Sequence, residues 1–373
     1  MAVVAQRHID ATTCNADNVL RTPRVWHIQV EAVHNEDLHV TAAQLCFYNF
    51  LSIFSTTLHP DIMATATLPP ASDAATSSSS IAAASSSSAE VFKRLHPASY
   101  LARFLTKGYR PDGRKLRGWR DVSVNVGSIS TANGSALVRL GETTMVCGIK
   151  AEVAGPSSEQ PRAGYIVPNI DLPALSSPRF KPGPPGDEAQ MFSNWLNDLL
   201  VSSDTVPLEG LCICPGKAVW ALYIDVVCIN YDGNAFDAAV MAVMAALRNR
   251  YDRELTAIAR LPGATYNDDS GQTICSRTET FPLQLGRTPL SCSFGIFQSS
   301  HLLPDPTSFE TPLLPTTVTV ALDERGVAAL VREEGLGGVV GKTGEAVISE
   351  AWDLAEERVK ELRAILEEST AQA

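Results

Sequence analysis

The stretch that most confines this 373-residue chain runs from Ala218 to Leu247. Ala218 to Ile229 reads AVWALYIDVVCI, apolar at nearly every position and not at every second one. That is the pattern of a central strand covered on both faces. Asp237 to Leu247 follows closely and is rich in alanine and methionine, so it reads as a helix whose small side chains let it lie close against that strand. A chain carrying this pair needs apolar layers on two sides of one strand.

The flanking sequence supplies candidates for those layers. Val122, Val124 and Val126 alternate with polar neighbours, which predicts a half-buried strand from Asp121 to Ser128. Ala136 to Leu140 and Thr143 to Ala151 read as two more strands joined at Gly141-Glu142, a spacing that implies antiparallel pairing. Val91 to Thr106 has helical spacing interrupted near Pro97, a short helix or helix pair. Eight prolines between 155 and 186 predict a long surface loop, followed by a helix from Glu188 to Val201. A second loop is expected at 252–280, then strands near Leu290 to Phe297, Thr317 to Leu322 and Val327 to Val331. A closing helix runs from Glu345 to about Glu368, with Ile348, Trp352, Ala355, Val359, Leu362 and Leu366 as its apolar stripe. Clustered strands, clustered helices and two β-to-α runs make this an α+β protein with two related halves.

Composition bounds the function. With 45% apolar and 19% charged residues the chain has the balance of a soluble globular protein. Its eight cysteines include no C-x-x-C pair, which argues against a disulfide scaffold or zinc ribbon and for reduced, mostly buried thiols. Ala43 to Phe54 is too short and too polar for a membrane span, and residues 1–20 lack a signal-peptide pattern. Residues 1–90 end in serine runs and are expected to be a disordered extension, with Met63 a candidate start within it. The net charge of −11 speaks against a cationic coat, yet residues 91–150 carry 11 Lys/Arg against 3 Asp/Glu. The basic block is therefore local.

Few motifs carry chemistry. Gly335 to Thr343 looks like a phosphate-cradling loop, but Leu336 stands where that motif needs glycine, so a turn before the last helix is the simpler reading. Only His96 and His301 lie beyond the extension, without a nucleophile beside them in sequence. Cys212 and Cys214 lack a second pair to complete a metal site, and no metal or other cofactor is expected. The run Lys107, Arg110, Arg114, Lys115, Arg117 and Arg120 could hold RNA phosphates, or be anchored by carboxylates of its own or a neighbouring subunit. Arg179 and Lys181 in the proline-rich loop are further candidates for backbone contacts.

Longer matches are more specific. Tyr109 to Arg114 (YRPDGR), Gly127 to Val138 and Gly141 to Thr144 resemble the opening of the RNase PH family. Val167 to Pro173, Arg179 to Gln190, Pro215 to Trp220 and Asp225 to Asp237 narrow the resemblance to RNase PH-like ring subunits of the eukaryotic RNA exosome, over roughly residues 91–368. It implies an RNase PH fold of two subdomains, here 91–255 and 256–373, the first like the second domain of ribosomal protein S5. Six such subunits form a ring around an RNA channel. The expected partners are other RNase PH-like ring subunits, S1/KH cap proteins and RNA, in nuclear, nucleolar and cytoplasmic pools.

Active relatives hold inorganic phosphate with a Ser/Thr-Arg pair directly after Asp-Gly-Gly and use two aspartates six apart. The matching segment here is Asp232-Gly233-Asn234-Ala235-Phe236, with Ala235 at the hydroxyl position and Phe236 at the arginine position. Thr311 and Thr317 stand at the two aspartate positions, with Glu310 adjacent. The resemblance therefore implies a non-catalytic structural subunit with no catalytic residues, against the alternative of an active phosphorolytic 3′-to-5′ exoribonuclease.

Overall fold

The computed structural model describes residues 89–248, 259–267, 271–298, 301–335 and 344–372. The expected extension and Leu336 to Thr343 of the glycine-rich motif lie outside the described residues, apart from Ala89 and Glu90.

Among the described residues, the elements that carry the fold are as follows. The first sheet contains β1 (Val122–Val126), β2 (Gly134–Leu140), β3 (Thr143–Ala154), β4 (Tyr165–Asp171), β5 (Cys212–Cys214) and β6 (Ala218–Asn230). Its order is β1-β2-β3-β6-β4, with β5 also paired to β6. Neighbours are antiparallel except β4, which runs parallel to β6. The second sheet has the order β10-β9-β11-β12, formed by β9 (Leu290–Phe297), β10 (His301–Pro304), β11 (Thr316–Leu322) and β12 (Ala328–Gly335). A separate ribbon pairs β7 (Arg260–Asn267) with β8 (Gln272–Pro282). The helices are α1 (Pro97–Leu105), α2 (Asp187–Ser202), α3 (Ala235–Leu247) and α4 (Gly344–Gln372).

The apolar strand and the helix after it sit at the centre. β6 lies inside its sheet between β3 and β4. Every residue of α3 is buried, because the helix packs on β2, β3 and β6 of one sheet and on β9 of the other. Small side chains such as Ala238, Ala239, Ala242 and Ala245 make that approach possible. α4 also spans both layers, touching β1, β9 and β11. Its buried stripe is Val347, Ala351, Ala355, Val359, Leu362 and Leu366, so Ile348 and Trp352 are only partly covered and the expected stripe is displaced by one residue in the first half.

Three local readings need correction. The proline-rich stretch contains β4, which accommodates Pro168 at the edge of a parallel pairing, where a missing N–H on the outer side breaks no ladder bond. The loop expected at 252–280 contains most of the β7–β8 ribbon, whose alternation is interrupted by a register shift between Pro262 and Ala264. β10 is a further strand in a stretch with no strand expected, only four residues long.

One glycine fixes the junction between the layers. Gly233 has φ +78°, and a Cβ there would stand 2.6 Å from Ser308 N and Thr307 C and 2.7 Å from Pro306 O. Backbone cannot yield as a flexible side chain can. Gly233→Ala should therefore lower unfolding free energy by roughly 3 kcal/mol or more, measured by urea denaturation, through both the strained φ and the overlap.

Candidate functional site

α3 begins where the resemblance places the phosphate grip. Asn234 caps it in the left-handed conformation, φ 50° and ψ 46°. Its side-chain amide donates to Asp237 Oδ2 at 2.8 Å and to Asp305 Oδ1 at 2.7 Å. Thr143 holds the preceding turn, its hydroxyl donating to Gly233 O at 2.8 Å and accepting from Asp232 N at 3.0 Å. Across the junction, Ser308 donates its backbone N–H to Asp232 O and its hydroxyl to Asp232 Oδ1.

The next two residues turn inward. Ala235 is buried, and Phe236 is enclosed beside two aromatic rings of α2. Its centroid lies 5.5 Å from Trp195 in an edge-on arrangement and 5.9 Å from Phe192. Arg332 of β12 covers the Trp195 ring at 5.1 Å. Phe236 offers the core a ring to pack and offers an anion nothing.

The two other matched positions carry hydroxyls. Thr311 opens a short 3-10 turn and donates to Thr307 O at 2.9 Å. Thr317 lies on β11 opposite Gly295 and Glu334. It shares a strand face with Thr319, whose hydroxyl meets Ser293 Oγ at 3.0 Å. Glu310, the carboxylate beside Thr311, is buried and accepts from both Arg110 Nε at 2.9 Å and Arg110 Nη2. It also accepts from Thr307 N at 3.0 Å. These bonds occupy both of its oxygens.

The basic run divides in two: Arg110, Arg114 and Arg120 turn inward, while Lys107, Lys115 and Arg117 are exposed. Arg110 is fully buried, and besides Glu310 it donates to the carbonyls of Pro304 and Asp305. Arg114 is mostly covered, with Nε 2.6 Å from Asp112 Oδ2 and Nη1 3.3 Å from Asp305 Oδ2. Arg110 is thus enclosed by an internal carboxylate and carbonyls, whereas Arg114 keeps part of its side chain at the surface beside the exposed Asp112. Lys115 is exposed, and so is Lys181. Arg179 is exposed too, paired with Glu188 at 2.9 Å and set over the Tyr231 ring at 5.9 Å.

Asp305 gathers this network. It is completely buried, adopts φ +51°, and accepts from Arg120 Nε at 2.8 Å and Arg120 Nη2 at 2.6 Å. Burial alone would raise its pKa. The bidentate Arg120 bonds and charge, helped by Asn234 and Arg114, outweigh that and hold it below the usual aspartate value. Asp237 behaves oppositely, because burial outweighs its bonds from Ser291, Asn234 and Ser293 and pushes its pKa up. Sequence reading missed Asp305 and Asp237 as organising residues. The sequence carries no local signal for Asp305, because its partner Arg120 lies 185 residues away.

Among the described residues, no group of three or more His, Cys, Asp or Glu is arranged to hold a metal ion. Cys212 and Cys214 do lie in one strand, and both are free and half-buried.

A mixed six-stranded sheet and an antiparallel four-stranded sheet thus enclose one buried helix, α3, whose start is capped by Asn234. The description of the 3′ exoribonuclease family, domain 1, matches residues 118–250. Over 233 residues the chain is 43% identical to exosome complex component rrp43 of Schizosaccharomyces pombe, covering 62% of this chain and 83% of that relative. It is 34% identical over 260 residues to exosome complex component Rrp42 of Methanothermobacter thermautotrophicus, covering 70% of this chain and 90% of that one. Among solved structures, a chain of the Archaeoglobus fulgidus exosome with RNA bound to the active site superposes with a TM-score of 0.61 at 28% identity. That match covers 72% of this chain and 96% of the other. The chain belongs to the RNase PH family of 3′ exoribonucleases.

The sign of the pH dependence follows from Asp305. Its folded pKa is depressed, so its contribution is complete above the ordinary aspartate value near 3.8 and is lost as pH falls through the lower folded value. Asp305→Asn should cost about 3 kcal/mol at pH 7, because it leaves Arg120 buried against a neutral group. It should also flatten the fall in stability below about pH 4. Urea unfolding across a pH series reads both effects.

Proposed function

We propose that this protein is a structural ring subunit of an exosome-type assembly, without phosphorolytic activity of its own, supporting 3′-to-5′ processing and degradation of RNA. Phe236 carries the reading: the position where active relatives present an arginine to phosphate holds a buried ring locked against Phe192 and Trp195. An attacking dianion needs cations and hydrogen-bond donors aimed at it in advance. Ala235 supplies no hydroxyl, and Thr311 and Thr317 supply no carboxylate. Loss of the guanidinium alone removes several kcal/mol of anion stabilisation, a rate loss of roughly a hundredfold or more.

The proposed partners are other RNase PH-like subunits and S1/KH cap proteins, a reading supported by similarity to chains named as exosome components. Direct RNA contact on this subunit is assigned to the exposed cations Lys115, Arg179 and Lys181. Nuclear, nucleolar and cytoplasmic pools follow from the same assignment.

Purified chain incubated with RNA and inorganic phosphate should release no nucleoside diphosphate. In a reconstituted ring, Phe236→Leu, which keeps the site apolar, should leave the rate of RNA degradation unchanged. Nucleoside diphosphate release that disappears on altering Asn234 or Phe236 would instead establish an active enzyme. Affinity purification from cells should recover RNase PH-like subunits in stoichiometric amounts.

A further inference from the structure

A groove of about 400 Å3 lies between α2 and β12. Asp187, Met191, Asn194, Trp195 and Asp198 line it from the helix, and Arg332 lines it from the strand. Three observations bear on what fits there.

The first is an open backbone edge. Among the described residues, β12 is the last strand of its sheet and pairs only with β11. Near its start the Ala329 carbonyl accepts from the Ser202 hydroxyl at 3.1 Å, which leaves Val331 to Gly335 as the stretch a further strand could join.

The second is charge. α2 contains Asp187, Glu188 and Asp198 and no lysine or arginine. β12 adds Glu333 and Glu334 against the single cation Arg332, which Asp198 already holds at 2.6 Å. Burial raises the Glu334 carboxyl above its ordinary pKa, although the Arg332 charge nearby pulls it down.

The third is an unmet hydrogen bond. Arg332 Nε–H is buried without an acceptor. Such a donor costs about 1–3 kcal/mol while it stays unpaired, a penalty that an arriving carbonyl can relieve by drawing the guanidinium over.

We propose that this groove docks an extended, lysine- or arginine-bearing segment of another protein chain, which adds to the free edge of β12 and sets its cations against Asp187 and Asp198. Main-chain hydrogen bonds along an edge strand supply affinity without much sequence demand, and alternate side chains then select the partner. A nucleic acid is disfavoured, since its phosphates would face the same carboxylates.

The test uses the full-length chain and fluorescein-labelled ten-residue peptides read by fluorescence anisotropy. A peptide alternating lysine and valine should bind saturably, and one alternating glutamate and valine at least tenfold more weakly. Asn194→Trp, at an exposed helix position, fills the groove without entering the core, and Asp187→Lys reverses a wall charge. Each should weaken the lysine peptide at least tenfold while circular dichroism stays unchanged. Absence of saturation below about 1 mM overturns the proposal. So do affinities unmoved by both variants, or displacement of the peptide by decauridine.

Discussion

The buried pairing of Asp305 with Arg120 is the constraint on which the remaining geometry rests. Arg120 precedes β1 in the first sheet, and Asp305 follows β10 in the second, so their bidentate bond joins the two layers directly. Two charges taken from water are favourable only with close geometry and all other lone pairs met. Here Arg120 also donates to the carbonyls of Asp232 and Gly233, and Asn234 donates to Asp305. The same bonds that satisfy the charges therefore set the turn that starts α3. Arg358 of α4 then donates to the Arg120 carbonyl at 2.9 Å, bringing the last helix to the same point.

This arrangement explains how the start of α3 can keep its shape with altered chemistry. Gly233 and Asn234 are fixed from outside the helix, by Thr143, Asp305 and the 306–308 backbone. Ala235 and Phe236 take no part in those bonds. Substituting them leaves the cap intact and changes only what faces α2. A guanidinium at 236 would demand water or anions among Phe192 and Trp195, whereas a phenyl ring extends the apolar core by its buried area.

Much of the fold was legible because it rests on patterns that burial imposes. β6 and α3 were readable from composition alone, since a strand covered on both faces cannot carry alternating polarity. β1, β2 and β3 were readable from alternation and the tight Gly141-Glu142 turn. β4 and the β7–β8 ribbon were hidden, because Pro168 and the Pro262-Gly263 irregularity mimic loop sequence and their pairing depends on distant partners. The candidate site divided along the same line. Positions 234–236, 311 and 317 were identifiable by matching short segments, but the fate of the arginines was not. Arg110 and Lys115 look alike in sequence, and only their long-range contacts, with Glu310 for one and solvent for the other, separate a buried anchor from an exposed cation.

Charge is consequently distributed in a way that local counting misrepresents. The excess of Lys/Arg in 91–150 suggests a cationic surface, yet Arg110, Arg114 and Arg120 neutralise carboxylates that the second sheet and its loops bring inward. Three arginines of the basic block and the carboxylates of Asp305 and Glu310 thus form one internal network. The cations left at the surface of the block include Arg103, Lys107, Lys115, Arg117 and Lys150, where each phosphate contact is screened by salt and is worth little alone. Specific affinity for any partner must then come from shape, backbone edges and buried contacts, and the net charge of the block does not report it.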